Sequence, residues 1–410
     1  MPEEDGFGKY FTQIKTLVLI ELHQLALIWN KDPTGIFVLE NLQIIHIKSC
    51  SSLKYLFTPS AAEKLSQLNE LKLEGCEMLE TVVDNGSTKT IKFPTLSKVE
   101  FKSLSSLIRF YHHVEFPRLK TLMIEKCPML EEFTSGFATI DESFTIEGDI
   151  EIIICFLQLS LDKLRELYII NKDVKKLFHY NCPSKSFCEL ENLTLSNNKV
   201  LSSISSSMIR QLINLKKLTL DKCELLIEVF NPEDDKPNYN IQKVFPQLKA
   251  LTLSNLSRLK CLWNKEPQVP FFSNLVSLYI VHCGILKSLF SLSSVKNLGK
   301  LKLLKLHSCE KIKEVITNEN HENVSIIFPL MECLVLKDLP KLVNFCQQNE
   351  TLNWPNLQIV RAINIPSMET FSSGNLNTPL LRSVHITFSK KIWLGSLNNT
   401  ISYMHKNPGM

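Results

Sequence analysis

LNELKLEGCEMLETVV, residues 68–83, carries the pattern from which the fold follows. Leu68, Leu71 and Leu73 stand at the apolar slots of L-x-x-L-x-L, and Glu70, Lys72 and Glu74 alternate with them. Alternation with period two describes a strand buried on one face and wet on the other. Such a strand has no partner within its own stretch, so its backbone groups must pair with strands from elsewhere in the chain.

The partners come from repetition. With an apolar residue at each slot, the motif starts again at Ile14, Leu42, Leu68, Leu96, Leu119, Leu164, Leu190, Leu215, Leu248, Leu275, Leu301, Met331, Leu357 and Leu381. The steps from 14 to 42 and from 275 to 301 fit the period of about 20–29 residues that marks leucine-rich repeats. One strand per period can pair only with its counterparts in neighbouring repeats. The expected fold is therefore an α/β leucine-rich repeat solenoid, a horseshoe with a parallel sheet on its concave face and irregular segments or short helices on its convex face. TPSAAEKLSQL (58–68) shows a return path: Thr58 caps, Pro59 suits a first helical turn, and Leu65 and Leu68 face inward. SSSMIRQLINL and SLSSVKNLGKL hold the same place before Leu215 and Leu301.

Three residues beyond the strand motif the repeat wants a small residue for a tight inner turn. Cys50, Cys76, Cys127, Cys223, Cys283 and Cys309 occupy that slot, with Asn198 in an equivalent place. These thiols lie a whole repeat apart and lack the close C-x-x-C pairs of zinc sites, so no metal is expected. Cys182 and Cys188 are closer together but have no matching pair.

Three repeat types cycle along the chain: one with cysteine (NLVSLYIVHCGILKSLF), one ending in E-V (LKLLKLHSCEKIKEVI), and one opening with F-P in which Leu replaces Cys (FPLMECLVLKDLPKLVNF). Residues 11–133 align with 245–371, an internal duplication in which IELHQLALIWNKDP matches SNLSRLKCLWNKEP. Residues 1–410 thus read as a single solenoid of about 14 repeats. Residues 134–163 are irregular and hold either a degenerate repeat or a kink, and 388–410 form an atypical C-terminal tail or cap. No polar capping segment precedes Ile14, so the array reads as starting in mid-course, as part of a longer protein.

Bulk properties agree. A single core rarely grows past about 250–300 residues, so a chain of this length must divide or stack. Hydrophobic residues at 44% with 21% charged suit a folded protein. A net charge of +4 is too small and dispersed for nucleic acid, which needs cations gathered on one face. The start, MPEEDGFGKYFTQ, is acidic where a signal peptide is basic, and no apolar stretch is long enough to span a membrane. The chain has twelve cysteines and no secretory signal, which indicates reduced thiols and a cytoplasmic or nuclear setting. Asn-x-Ser/Thr sequons such as Asn192-Leu-Thr194 are the contrary sign, but Asn192 falls inside an expected strand.

The motifs F-P-x-L-x-x-L-x-L-x-x-L-x-x-L, L-x-x-L-x-I-x-x-C-x-x-L-x-x-L-F and the closing E-V-I resemble the C-terminal leucine-rich repeats of plant intracellular nucleotide-binding disease resistance proteins of the coiled-coil class. That resemblance implies a recognition module for a pathogen effector or a modified host protein, coupled to the nucleotide-binding switch domain of a full-length receptor. The switch itself is not matched: Gly6-Phe-Gly8-Lys9 lacks phosphate-loop spacing, Glu3 stands where the first glycine belongs and Tyr10 where Ser or Thr would bind magnesium. ATP or ADP binding is not carried over, and no cofactor is expected. Irregular cysteine-bearing repeats also occur in F-box proteins, so the alternative is a substrate-recruiting subunit of a ubiquitin ligase.

Residues between the strand leucines should face the concave surface. The candidate partner-binding residues are Lys72, Glu74, Lys98, Glu100, Tyr168, Tyr279, Lys305, His307, Lys337 and Arg361, with Lys102 beside them. Tyrosine and arginine are common anchors, which favours the second half. The competing expectation is that these charges form cross-strand ladders. Ile44, Met123, Ile170, Val281, Leu303, Val335, Ile359 and Ile363 share the face, either as contact surface or buried by curvature or a loop. Polar loops at 84–92, 231–243 and 317–326 each follow an E-V repeat and form either a second rim or tolerated insertions. Neither His112-His113 nor the scattered Ser and Asp residues build a nucleophile, acid pair or metal spacing, so no enzymatic activity is expected.

Overall fold

Five-residue strands stand two residues after the motif starts, from Thr16 to Ile363, as the alternation dictates. The computed structural model describes residues 14–28, 39–84, 89–130, 142–147, 163–170, 187–231, 245–263, 271–317, 325–346 and 351–407. Chain contacts divide it into two compact units: Met1–Lys172 with Asn181–Leu190, and Asp173–Tyr180 with Glu191–Met410.

Unit 1 carries strands β1 (Thr16–Ile20), β2 (Ile44–Lys48), β3 (Glu70–Glu74), β4 (Lys98–Lys102), β5 (Thr121–Glu125), β6 (Ser143–Glu147) and β7 (Glu166–Ile170). Each pairs in parallel with the next, in a register that aligns motif positions, so that His46, Lys72, Glu100 and Met123 fall in one row. From β2 to β5 the alternate leucine-type residues are buried and their neighbours half-buried or exposed. In β1 even Leu17 and Leu19 are only half-buried. Strand β6 lies in the irregular stretch 134–163 and keeps full register with both neighbours. Asp141 stands where the motif's first apolar residue belongs, which hides this strand from a motif search, yet Phe144 fills the next leucine slot and is buried.

Unit 2 continues the same construction with β8 (Asn192–Ser196), β9 (Lys217–Asp221), β10 (Ala250–Ser254), β11 (Ser277–Val281), β12 (Leu303–His307), β13 (Cys333–Lys337) and β14 (Ile359–Ile363). These are parallel and in register. The pattern shortens at β15 (Val384–His385), which pairs parallel with β14 and antiparallel with β16 (Lys391–Ile392).

Directly after most strands, in both units, the chain turns through a residue of positive φ: Ser49, Gly75, Ser103 and Lys126, then Asn197, Lys222, Asn255, His282, Ser308, Asp338 and Asn364. An L-residue pays about 1–2 kcal/mol for this conformation. The offsetting gain is one more ladder bond, since the amide of the turn residue donates to the last strand carbonyl of the next repeat: Ser49 to Glu74 at 2.8 Å, Gly75 to Lys102 at 2.9 Å, Lys222 to Ser254 at 3.0 Å. The slot that follows is buried. Its thiols donate to backbone carbonyls, as from Cys127 to Glu125 at 3.5 Å, and Asn198 Oδ1 accepts from the amides of Val200 and Leu201. Burial pushes the Cys76, Cys127 and Cys223 thiols up to about 11, so they pack as small hydrophobes. The described cysteines are free thiols.

The return paths combine short helices with short outer strands. Helix α1 (Pro59–Glu63) starts at Thr58, whose Oγ1 accepts from the Ala61 amide, and α2 (Ser206–Gln211) and α3 (Leu292–Val295) start at Ser205 and Ser291 in the same way. Outer strands pair in parallel within each unit, Ile91–Lys92 with Val114–Glu115 in unit 1 and Glu314–Thr317 with Asn344–Cys346 in unit 2. Aromatic rings fill the space behind them: Phe93, Phe110 and Phe116 in unit 1, and Phe328, Phe345, Trp354 and Phe371 in unit 2.

Helix α4 (Leu397–Lys406) closes over the last described turn of unit 2. Asn398 Oδ1 accepts from the amides of Phe371 and Ser372, both at 3.1 Å, while its Nδ2 donates to the Ser372 carbonyl. One side chain thus meets three backbone groups of Phe371 and Ser372. Among the described residues no helix is long and apolar enough to cross a membrane.

Candidate protein-binding faces

Every candidate residue read from the sequence projects from the solvent side of a strand, because the leucines beside it are buried. What the candidates meet there differs between the units. In unit 1 the charges pair with one another. Lys72 Nζ lies 3.1 Å from Glu100, Lys98 lies 2.6 Å from Glu100 and 3.3 Å from Glu70, and Lys48 and Lys102 pair with Glu74 and Glu125 at 3.1 and 3.2 Å. His46 Nε2 lies 3.2 Å from Glu70. Hydrogen bonding to Glu100 raises the Lys98 pKa. Burial pushes Glu100 up, but the hydrogen bonds and positive charges of Lys98 and Lys72 outweigh it and hold its carboxyl below the ordinary value. Tyr168 on β7 donates to Glu166 at 3.1 Å; burial first, then that carboxylate, raises its pKa.

In unit 2 the register lines up Tyr279, Lys305, Val335, Arg361 and His385, one per strand from β11 to β15. Among the described residues neither Lys305 nor Arg361 forms an ion pair. One row over, His307 Nε2 lies 3.1 Å from Asp338 Oδ2, and Lys337 lies 3.7 Å from the same carboxylate. Burial leads in lowering the His307 pKa, and the Lys337 and Lys305 charges add to it against the pull of Asp338. A hydrogen bond from Asn364 is the main reason Asp338 titrates below the ordinary value.

Of the apolar residues expected on these faces, Ile44, Met123, Ile170, Val281, Leu303, Val335 and Ile363 are half-buried within their units and Ile359 is exposed; Val18 and Ile20 of β1 are exposed as well. Neither curvature nor a described loop covers them fully. The polar-loop residues 85–88, 232–243 and 318–324 lie outside the described residues. Three participants escape the strand motif: Asp338 and Asn364 at positive-φ turns, and Phe388 in the β15–β16 turn, 84% exposed, with Lys337 Nζ 5.3 Å from its ring centre. Phe388 had a visible signal, a lone aromatic among polar residues in Thr387-Phe388-Ser389-Lys390, but it belongs to no repeat slot. Among the described residues no three His, Cys, Asp or Glu side chains gather as a metal site would require.

Stacked parallel strands, buried leucines and the cysteine turn define a leucine-rich repeat protein. The family model for plant disease resistance protein RPS2-like leucine-rich repeats matches residues 3–77 and 162–310, and the chain belongs to that family. Disease resistance protein SUMM2 of Arabidopsis thaliana is 32% identical over 160 residues, which cover 36% of this chain and 17% of the relative's length. Among solved structures, a TLR13–ssRNA13 complex aligns over 90% of this chain and 65% of its own at 14% identity, with a TM-score of 0.32. The plant peptide hormone receptor RGFR1 in complex with RGF2 aligns over 89% and 79%, at 14% identity and a TM-score of 0.17. Neither likeness is close enough to say what this chain binds.

Proposed function

We propose that this chain is the protein-recognition module of an intracellular plant immune receptor, which senses a pathogen effector or a modified host protein and acts with a nucleotide-binding switch domain of a longer protein. Membership of a plant disease resistance family supports a role in immunity. The observation that carries recognition is the row Tyr279, Lys305, Val335, Arg361: aromatic, cationic and apolar groups side by side on a rigid ladder, with neither cation in an ion pair among the described residues. Tyrosine and arginine are typical interface anchors, and a parallel sheet buried on its other face holds them at fixed spacing. Leucine-rich repeats of this kind are in general recognition modules rather than catalysts, and the proposed setting is the cytoplasm.

Charge reversal at both Lys305 and Arg361 tests the reading. Proteins that co-purify with the tagged chain from plant extract, quantified by mass spectrometry, should include at least one that the folded double variant no longer retains. Retention of every partner by the double variant would refute the assignment of recognition to this face.

A further inference from the structure

We infer that the solvent face of β12–β15, together with the hairpin turn at Phe388, is a docking surface for an acidic protein segment that also presents an apolar side chain. This rests on the recognition reading above and names the chemistry of the partner.

The first observation is Phe388. A phenylalanine ring 84% exposed is the most exposed large apolar side chain among the described residues. It is held in place, because the Ile386 amide donates to the Lys390 carbonyl at 3.0 Å and Thr387 Oγ1 accepts from the amides of Ser389 and Lys390 at 3.3 and 3.0 Å. Water contact of an ordered aromatic ring is unfavourable, so the turn is preorganised for a partner that covers it.

The second observation is charge. Among the described residues of strands β12–β16, the residue that follows each strand and the β15–β16 turn, Lys305, Lys337, Arg361, Lys390 and Lys391 stand against one carboxylate, Asp338, while Glu332, just before β13, is paired with Lys302 at 2.7 Å. The Asp338 carboxylate is already engaged by His307, Lys337 and Asn364. Lys305 and Arg361 sit two strands apart in one row, about 10 Å at the usual strand spacing. The same backbone in unit 1 matches Lys48, Lys72, Lys98 and Lys102 with glutamates from adjacent strands, so unmatched cations are not imposed by the fold.

Apolar groups settle the class of partner. Val335 stands between Lys305 and Arg361, Ile359 and Ile363 flank Arg361 along β14, and a partly open cavity of about 200 Å³ lies beside the hairpin, lined by Asn364, Ile365, Ile386, Ile392, Ile401 and Met404 among others. A phosphate backbone would gain little from these and would meet Asp338 in the middle of the face. Carboxylates placed to reach Lys305 and Arg361, with an aromatic or aliphatic side chain against Phe388 or in the cavity, satisfy all of them.

The test uses the purified full chain and fluorescence anisotropy with short synthetic peptides: one alternating Asp or Glu with Leu and Phe, one with the acids replaced by Asn and Gln, and one with the apolar residues replaced by Ser. A single-stranded oligouridylate is the fourth probe. The acidic, apolar peptide should bind best and weaken with added salt. Phe388→Ala, Arg361→Glu and Lys305→Glu should each weaken it about tenfold or more, as loss of an interface anchor does. Lys296→Glu, exposed at the end of α3, should leave it unchanged, and thermal unfolding would confirm that all variants fold. Equal binding by Phe388→Ala and Arg361→Glu, preference for the oligouridylate, or no binding of the acidic peptide by folded protein would each overturn the proposal. If the Lys305 and Arg361 reversals abolish partner recovery from extract while the acidic peptide ignores them, the acidic-segment proposal fails and recognition stands. If neither assay responds, both fail.

Discussion

On β2–β5 of unit 1, Lys48, Lys72, Lys98 and Lys102 meet Glu74, Glu100, Glu70 and Glu125 within 3.3 Å, and the face is electrostatically closed on itself. On β11–β14 of unit 2, strands of the same length and register hold Tyr279, Lys305, Val335 and Arg361, and the two cations meet no carboxylate among the described residues. The inward residues barely differ, since both faces stand on leucine-type side chains shielded from water. A repeat scaffold constrains only its buried positions, so the outward ones can be spent on self-pairing in one region and on recognition in another.

If both faces rest on equivalent supports, damage beneath them should cost alike. Phe101→Ala under β4 should destabilise unit 1 by about 3–5 kcal/mol, and Leu306→Ala under β12 should destabilise unit 2 by about 2–5 kcal/mol. Both side chains are fully buried, Phe101 against Phe110. Denaturant unfolding followed by circular dichroism would measure these losses. A negligible cost at Leu306 would mean that the second face lacks a rigid support and would break the comparison at its base.

Charge removal should then separate the faces. Lys98→Ala should cost about 1 kcal/mol, the upper end for partly exposed pairs once solvent screening is discounted, because it removes two ion pairs at once and leaves Glu100 to Lys72 and Glu70 to His46. Lys305→Ala should fall within about 0.5 kcal/mol of the parent. The pH dependence follows from Glu100. Its folded pKa is depressed, so its contribution is present above the unfolded value of about 4.3 and disappears as pH falls through the folded value. The stability gap between the parent chain and Glu100→Gln should therefore be full at neutral pH and shrink in acid. A gap that widened on acidification would contradict the ladder.

Strand positions were legible because every inward slot demands an apolar residue in every copy, and the buried cysteines repeat for the same reason. Strand β6 was not, since Asp141 breaks the motif before Phe144 restores it. The outward candidates could be named individually, but their status depends on register. Lys98 lies between Glu70 and Glu100, and its first partner comes from the preceding repeat, whereas Lys305, at the same slot as Lys72, meets no acid among the described residues. Phe388 marks only the point where the repeat pattern ends, because an aromatic in a hairpin turn has no repeat position to announce it.

The smallest effect concerns the turns that both units share. Ser103 in unit 1 and Lys222 in unit 2 follow their strands with φ of 51°, and their amides donate to Glu125 and Ser254. Glycine at either site keeps that bond and removes the strain of about 1–2 kcal/mol, while its freer unfolded chain returns about 0.4–1 kcal/mol of the gain. Ser103→Gly and Lys222→Gly should each stabilise by about 0.5–1 kcal/mol, seen as a raised thermal midpoint. Gly75→Ala should do the reverse: φ is +64°, and the added methyl would meet nothing nearer than Ser49 Oγ at 3.5 Å, so backbone strain alone acts. Equal gains at Ser103 and Lys222 would show that the units share one backbone device and differ only in what their faces present. Unequal gains would place part of that difference in the scaffold itself.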